Sequence, residues 1–126
     1  MGIILLQFRV KNIFILIQSL SMEEPYFLYQ SFMNYKQLHS LSDNDKIFVN
    51  EKLLYFTYEQ KLAFTRLIIE NAKIKGKLDK NDENSIPYGG VEEHGNIKFN
   101  FSNLNEELLH ILFKFVEIIC KKETEK

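Results

Sequence analysis

The stretch that decides the fold is residues 97–104, which read Ile97-Lys98-Phe99-Asn100-Phe101-Ser102-Asn103-Leu104. Apolar and polar residues alternate through most of it, and this period of two predicts a half-buried β-strand. Asn105 follows at once and can cap a helix, with Glu106 and Glu107 in the first turn, where the helix dipole favours negative charge. We therefore expect a short strand that leads directly into a helix.

The helix after Asn105 is predicted to be amphipathic and to end near Lys121 and Lys122, because basic charge suits a helix carboxyl terminus. Residues 123–126 are expected to fray. A broad apolar face is formed by Leu108, Leu109, Ile111, Leu112, Phe115, Val116 and Ile119.

A second helix start lies upstream, in the stretch Phe56-Thr57-Tyr58-Glu59-Gln60-Lys61-Leu62-Ala63-Phe64. Thr57 and Gln60 have the spacing of a capping box, in which each side chain bonds the backbone N–H of the other residue. The pattern predicts a helix from Tyr58 to about Asn71. Its apolar side consists of Leu62, Ala63, Leu67, Ile68 and Ile69.

Two more helices are predicted nearer the amino terminus. One covers residues 26–38, which are rich in aromatic side chains. The other is capped by Ser42 and runs from about Asp43 to Phe56. We expect it to bury Ile47, Phe48, Leu54 and Tyr55. Residues 79–96 lack an apolar period and are predicted to be a loop.

Residues 1–21 form an apolar leader that is open to three interpretations. Arg9 and Lys11 interrupt the apolar run, so neither a spanning helix nor a signal peptide fits it well. It can instead be a strand or helix that packs on the domain. A start of translation at Met22, where the composition changes abruptly, is the third interpretation, and it predicts that residues 1–21 add nothing to the core.

Composition narrows the functional class. The formal net charge of −1 gives no general attraction to nucleic acid or to an anionic membrane. Cys120 is the only cysteine, which excludes an internal disulfide and favours a reducing compartment. The three histidines have no ligand spacing, and no phosphate-binding loop is present, so we expect no metal, no cofactor and no enzyme activity.

Two motifs together resemble the extraterminal (NET) domain of bromodomain-type chromatin proteins. The first is Thr57-Tyr58-Glu59-Gln60-Lys61, which matches the opening of a family helix. The second is the ordered set Ile97, Phe99, Phe101, Leu104, Leu109, Leu112, Phe115 and Val116. The resemblance implies a mainly α fold, a small domain of three to four helices with one short β-strand or β-hairpin. The family has a further amphipathic helix between the two motifs, and residues 72–96 lack its apolar period.

The resemblance implies an adaptor in transcription or chromatin complexes rather than an enzyme. Such a module binds an extended partner peptide by strand addition, here beside Ile97–Phe101. The implied partner is a protein that supplies a short peptide, and the implied location is intracellular and nuclear. The candidate peptide-binding residues are Ile97, Lys98, Phe99, Asn100, Phe101, Glu92 and Glu93.

Two other functional classes stay open. One is a helical structural or assembly subunit that docks through Phe-rich faces. The other is a small secreted or membrane-attached protein, if residues 1–21 are a signal or an anchor. The oligomeric state is open in every case.

The chain also carries a segment that resembles a ligand of the family, in which basic and apolar residues alternate. We hypothesise that this segment pairs with Ile97–Phe101 as an antiparallel hairpin and occupies the peptide site in cis. Its residues are Lys73, Ile74, Lys75, Lys77 and Leu78.

The predicted organisation has four parts: residues 1–21 as leader, 22–56 as an N-terminal helical segment, 57–122 as the extraterminal-like domain and 123–126 as a tail. Because residues 72–96 supply no helix, the helix over Asp43–Phe56 is predicted to pack on the Tyr58 and Leu108–Ile119 helices in its place.

Overall fold

The computed structural model describes residues 2–22, 41–78 and 86–124. This part of the chain is mainly helical, with four α-helices and a small antiparallel sheet of three strands. The elements in chain order are β1 (Ile3–Gln7), α1 (Ile13–Met22), α2 (Asp43–Leu53), α3 (Tyr58–Ile74), β2 (Val91–Glu93), β3 (Asn96–Asn100) and α4 (Glu106–Thr124). Two single-turn 3₁₀ helices lie at Pro87–Gly89 and Phe101–Asn103. The helix predicted over residues 26–38 falls outside the described residues.

The sheet has the strand order β1-β3-β2, so the strand predicted from the sequence is its central one. β1 pairs with β3 from Ile3 opposite Asn100 to Gln7 opposite Asn96. Ile4, Leu6, Ile97 and Phe99 are at most 1% exposed and form the inner face of the sheet, which belongs to the hydrophobic core. The burial alternation predicted for residues 97–100 is therefore confirmed, and the burial of the β1 residues alternates as well.

Local signals place the starts of three helices. At α2, Ser42 Oγ accepts from Asp45 N at 3.1 Å and an Asp45 carboxylate oxygen accepts from Ser42 N at 3.0 Å. At α3, Thr57 Oγ1 and the Gln60 side chain make the same reciprocal pair at 3.1 and 2.9 Å. The predicted capping box at Thr57 is thus confirmed, and the cap at Ser42 is a full box.

Asn105 caps α4 as predicted, since its Oδ1 accepts from Leu108 N at 2.8 Å. The helix continues to Thr124, beyond the expected end at Lys122. α4 packs on both α2 and α3. Phe115 links it to the α3 side through ring contacts with Phe56 at 6.1 Å and Phe64 at 6.4 Å between centroids.

The position of α2 agrees only in part with the prediction. It packs on α4, but its other main contact is with β1 rather than with α3. The helix ends at Leu53, and Leu54 and Tyr55 form a turn that exposes them by 67% and 81%. Their predicted burial is wrong because the helical period does not extend through the turn. Val49 and Leu53 are the buried residues of α2.

Adjacent leucines at this turn are expected to respond very differently to truncation. Leu53 is 3% exposed, so Leu53→Ala should lower the free energy of unfolding by about 2–5 kcal/mol. Leu54→Ala, which removes the same atoms from a side chain that is 67% exposed, should change it by about 0.5 kcal/mol or less. Urea unfolding of both variants checks this, and equal losses would contradict the end of α2 at Leu53.

The leader is part of the core. Ile4 and Leu6 of β1 are fully buried, Ile13 and Ile17 of α1 are 1% and 3% exposed, and α1 packs on α3. The prediction that residues 1–21 add nothing to the core is therefore wrong, and the interpretation as a strand or helix that packs on the domain is confirmed. The boundary drawn at residue 21 does not separate a leader from a folded unit. Within the described ranges, no helix is long and apolar enough to cross a membrane.

Candidate peptide-binding edge

The candidate site residues of β3 lie on its two faces. Ile97, Phe99 and Phe101 are buried, at 0%, 1% and 3% exposure, so they serve the core rather than a ligand. Phe101 already belongs to the 3₁₀ helix that follows the strand. Lys98 and Asn100 lie on the outer face of the sheet. Only the side chains on the outer face and the backbone of this strand are therefore available to contact a ligand.

Both sides of β3 are occupied by strands of the same chain. β1 covers one side from Asn96 to Asn100, and β2 covers the other from Asn96 to Lys98. A peptide cannot pair beside Ile97–Phe101 while both neighbours are in place, because each strand has only two hydrogen-bonding sides. The location predicted for strand addition must therefore move outward to an edge of the sheet.

The segment proposed to occupy the site in cis does not do so. Lys73 and Ile74 form the end of α3, and Lys75 is its C-cap residue. The helix continues past the expected end because Ile68, Ile69 and Ala72 bury its face there. The hairpin hypothesis for Lys73–Leu78 is wrong, and the strands that pair with β3 are β1 and β2.

Other contacts account for the remaining residues of that segment. The Lys75 ammonium bonds a Glu107 carboxylate oxygen at 2.9 Å, and this hydrogen bond, with the charge of Glu107, raises the pKa of Lys75. Ile74 is 53% exposed, and Leu78 is partly buried against the core. Lys75 therefore ties the end of α3 to the start of α4 and does not face Glu92 or Glu93.

The outer side of β1 is guarded by side chains from two helices. Phe101 N donates to Gly2 O, so Gly2 and Phe101 form a hydrogen-bonded pair beside β1 and β3. Because only every second pair of an antiparallel ladder is hydrogen-bonded, the carbonyls of Ile3 and Gln7 point away from β3. Asn50 Nδ2 donates to Ile3 O at 2.9 Å, and Lys61 Nζ donates to Gln7 O at 3.0 Å. Side chains of this kind are one way that proteins protect an edge strand from further pairing.

β2 and β3 form a hairpin with a two-residue turn. His94 and Gly95 have φ of 55° and 80°, as a type I′ turn requires at both central positions. Gly95 N donates to Glu92 Oε1 at 2.8 Å. The turn also packs against the backbone of Val10, so that a Cβ atom on Gly95 would lie 2.2 Å from Val10 O. The hairpin tip is thereby fixed to the connection between β1 and α1.

The outer edge of β2 carries the acidic residues that the sequence had indicated. Since Ile97 bonds toward β1, its neighbours Asn96 and Lys98 bond toward β2, where their partners are Glu93 and Val91. The N–H and C=O of Glu92 therefore point away from β3, toward the outer edge. Val91 is 57% exposed. On the outer face, Lys98 Nζ lies 2.5 Å from Glu93 Oε2. The edge thus offers one residue, Glu92, whose N–H and C=O both point outward, flanked by Val91 and Glu93.

The ion pair with Lys98 lowers the pKa of Glu93, first through the hydrogen bond and then through the charge. Because the folded pKa lies below the unfolded one, this contribution to stability is present at neutral pH and is lost as the pH falls through the folded pKa. Both groups are exposed, so the contribution is small.

A partly buried polar cluster that the sequence reasoning missed joins the 3₁₀ helix before β2 to α3 and to the start of α4. Asn71 Oδ1 accepts from Tyr88 Oη and, at 2.9 Å, from Asn105 Nδ2. Tyr88 adopts a positive φ of 58° in the 3₁₀ helix that precedes β2. Asn71 is fully buried. The only sequence signal is an amide side chain at the apolar face of a predicted helix, which does not reveal its partners.

A cavity of about 230 Å³ lies away from this edge and is lined in part by Lys46, Phe101, Leu104 and His110. Lys46 Nζ stands 6.0 Å from the centroid of the Phe101 ring. In the ranges that the structure covers, no three side chains of the histidine, cysteine, aspartate or glutamate type are grouped as metal ligands would be.

A scan against protein-family models, a search of curated proteins and a search of solved structures each found no match.

Proposed function

We propose that this chain is a non-enzymatic protein-interaction module that binds an extended peptide as a fourth strand of the sheet, along the outer side of β2. The observation that carries the proposal is the state of the two edges. β1 is guarded by Asn50 and Lys61, whereas β2 directs the N–H and C=O of Glu92 outward and pairs only with β3 in the described part of the chain.

Strand addition suits this edge because main-chain bonds supply affinity and alternate side chains supply specificity. Val91 offers an exposed apolar side chain next to the outward-facing N–H and C=O of Glu92. β2 has only three residues, so few main-chain bonds can form and a modest affinity is expected.

The resemblance to extraterminal domains suggests the biological setting. It supports an adaptor in nuclear transcription or chromatin complexes, with a partner protein that supplies the peptide. The strand that bears the resemblance, Ile97–Phe101, is the central strand of the sheet, so the proposed ligand lies one strand further out than the resemblance alone implies.

Backbone-methylated peptides test the proposal directly. The probe is a synthetic nine-residue peptide of alternating lysine and isoleucine, titrated into the full chain while backbone amide NMR signals are recorded. We expect the largest shifts in β2 and slower hydrogen exchange at the Glu92 amide. Two control peptides have the same side chains but carry N-methyl groups on every second residue, in opposite phases.

Only one phase of methylation places methyl groups toward β2, so one control peptide should lose binding and the other should retain it. If both bind like the parent peptide, main-chain pairing does not occur and the proposal fails. It also fails if the shifts lie on a helical surface instead.

A second candidate, a helical assembly subunit, is favoured by a different observation. The turn after α2 exposes Leu54 and Tyr55, and Tyr58 at the start of α3 is 47% exposed. Exposed apolar residues that lie close together often mark contacts with other proteins. Peptide-induced shifts confined to these three residues would favour this candidate over strand addition.

A further inference from the structure

We infer that the β2 edge selects a peptide with one basic side chain directly across from Glu92 and uncharged side chains on either side of it, with Lys98 as the residue that sets this preference. The inference rests on the proposed function and adds the chemistry of the partner.

The geometry follows from the pleat of the sheet. Val91 and Glu93 pair with Lys98 and Asn96, so their side chains lie on the outer face, and the Glu92 side chain lies on the opposite face. In an added strand, the residue that bonds to Glu92 presents its side chain on the same face as Glu92. The residues before and after it lie beside Val91 and Glu93.

The carboxylates of Glu92 and Glu93 differ in whether a positive charge lies beside them. The Glu93 carboxylate is paired with the Lys98 ammonium at 2.5 Å. Glu92 accepts a hydrogen bond from the neutral backbone N–H of Gly95, and no cation of the described residues forms an ion pair with it. Within the described part of the chain, Glu92 therefore has a hydrogen-bond donor but no opposite charge beside it.

A lysine or arginine across from Glu92 therefore gains an attraction that no ion pair within residues 2–22, 41–78 and 86–124 already supplies. A basic side chain beside Glu93 must instead displace Lys98 or lie near its like charge. Val91 favours an apolar neighbour on the same outer face. One basic residue with uncharged neighbours is the ligand that matches this edge.

The test uses three soluble peptides of nine residues and four forms of the full chain. The peptides have a neutral alternating threonine–valine core, the same core with one central lysine, and the core with two adjacent lysines, of which the second would lie beside Glu93 when the first lies across from Glu92. The proteins are wild type, Glu92→Gln, Glu93→Gln and Lys98→Met. Glu92→Gln keeps the oxygen that accepts from Gly95 N, and Lys98→Met keeps much of the apolar stem. Thermal melts verify that each variant is folded.

For wild type, one lysine should tighten binding roughly two- to five-fold over the neutral peptide, the scale of one cross-strand charge pair. The second lysine should add no further gain. Glu92→Gln should abolish the gain from the first lysine, and Glu93→Gln should leave it. Lys98→Met should allow the second lysine to gain as well, because Glu93 is then uncompensated.

The inference is overturned if the gain disappears in Glu93→Gln instead of Glu92→Gln, if there is no gain at all, or if the second lysine gains fully in wild type. In these cases the neutral peptide still binds, and the proposed function stands. Absence of binding by every peptide overturns the proposed function itself.

Discussion

Deletion of residues 1–12 is expected to leave the rest of the chain without a cooperative thermal melt. The deletion removes β1 and with it Ile4, Leu6 and Phe8, which are at most 6% exposed. Truncation of a single side chain of this kind costs about 2–5 kcal/mol, and the whole stability of a domain is about 5–15 kcal/mol. The loss also exposes one side of β3, including its apolar residues Ile97 and Phe99.

Single substitutions in β1 distinguish the loss of a buried side chain from the loss of the whole segment. Leu6→Ala should lower the free energy of unfolding by about 2–5 kcal/mol, because Leu6 is fully buried. Ile3→Ala, on the outer face of the same strand and 52% exposed, is the matched control and should cost about 1 kcal/mol or less. Chemical denaturation measures both. A truncated chain with an undiminished melt, or equal costs for the two variants, would show that β1 is not a core strand.

Gly95→Ala is expected to be among the most damaging single substitutions outside the apolar core. Two effects add at this position. Gly95 has φ of +80°, which costs a residue with a Cβ atom about 1–2 kcal/mol. The new methyl group would also lie 2.2 Å from Val10 O and 2.9 Å from Val10 N, so the backbone of the β1–α1 connection must move. We expect a total loss of about 3 kcal/mol or more.

Gly76→Ala is the control for the backbone effect alone. Its φ is +68°, yet nothing lies within 4 Å of the position that a Cβ atom would occupy. Only the conformational cost should remain, about 1–2 kcal/mol. Urea unfolding of the two variants gives the comparison, and similar losses for both would mean that the hairpin tip does not press against Val10.

The features that the sequence predicts best are those that a few neighbouring residues determine. Thr57 with Gln60, and Asn105 before two glutamates, specify helix starts through hydrogen bonds that span three residues. The alternation through Ile97 and Phe99 likewise identifies a strand and its buried face. In each case the physical cause lies within one turn or one strand.

The features that were missed depend on residues far apart in the chain. The apolar run that contains Ile4 and Leu6 has no clear alternation, because Leu5 on the outer face is apolar too. Its role as a strand becomes evident only when β3 lies beside it. The burial expected at Leu54 failed for a local reason, since a turn broke the helical period one residue earlier.

The candidate site shows the same division. Glu92 and Glu93 could be chosen from the sequence, but which sides of β3 are already paired could not, because strand order is a property of the assembled sheet. For that reason Lys73–Leu78 was a reasonable partner for β3 on composition and is nevertheless the end of a helix and its cap. The compensation of Glu93 by Lys98 follows only once the register is known.

The pairing of β1 with β3 also constrains how the protein is made. Arg9 N donates to Asn96 Oδ1 across 87 positions of sequence, so the ribosome releases the first strand long before its partner exists. Because synthesis adds about 5–20 residues per second, Ile4 and Leu6 have no partner strand for several seconds. During that time the nascent chain displays an apolar strand with both edges open, which is the condition that chaperones recognise. We expect the yield of folded protein in cells to depend on chaperones more than its modest size suggests.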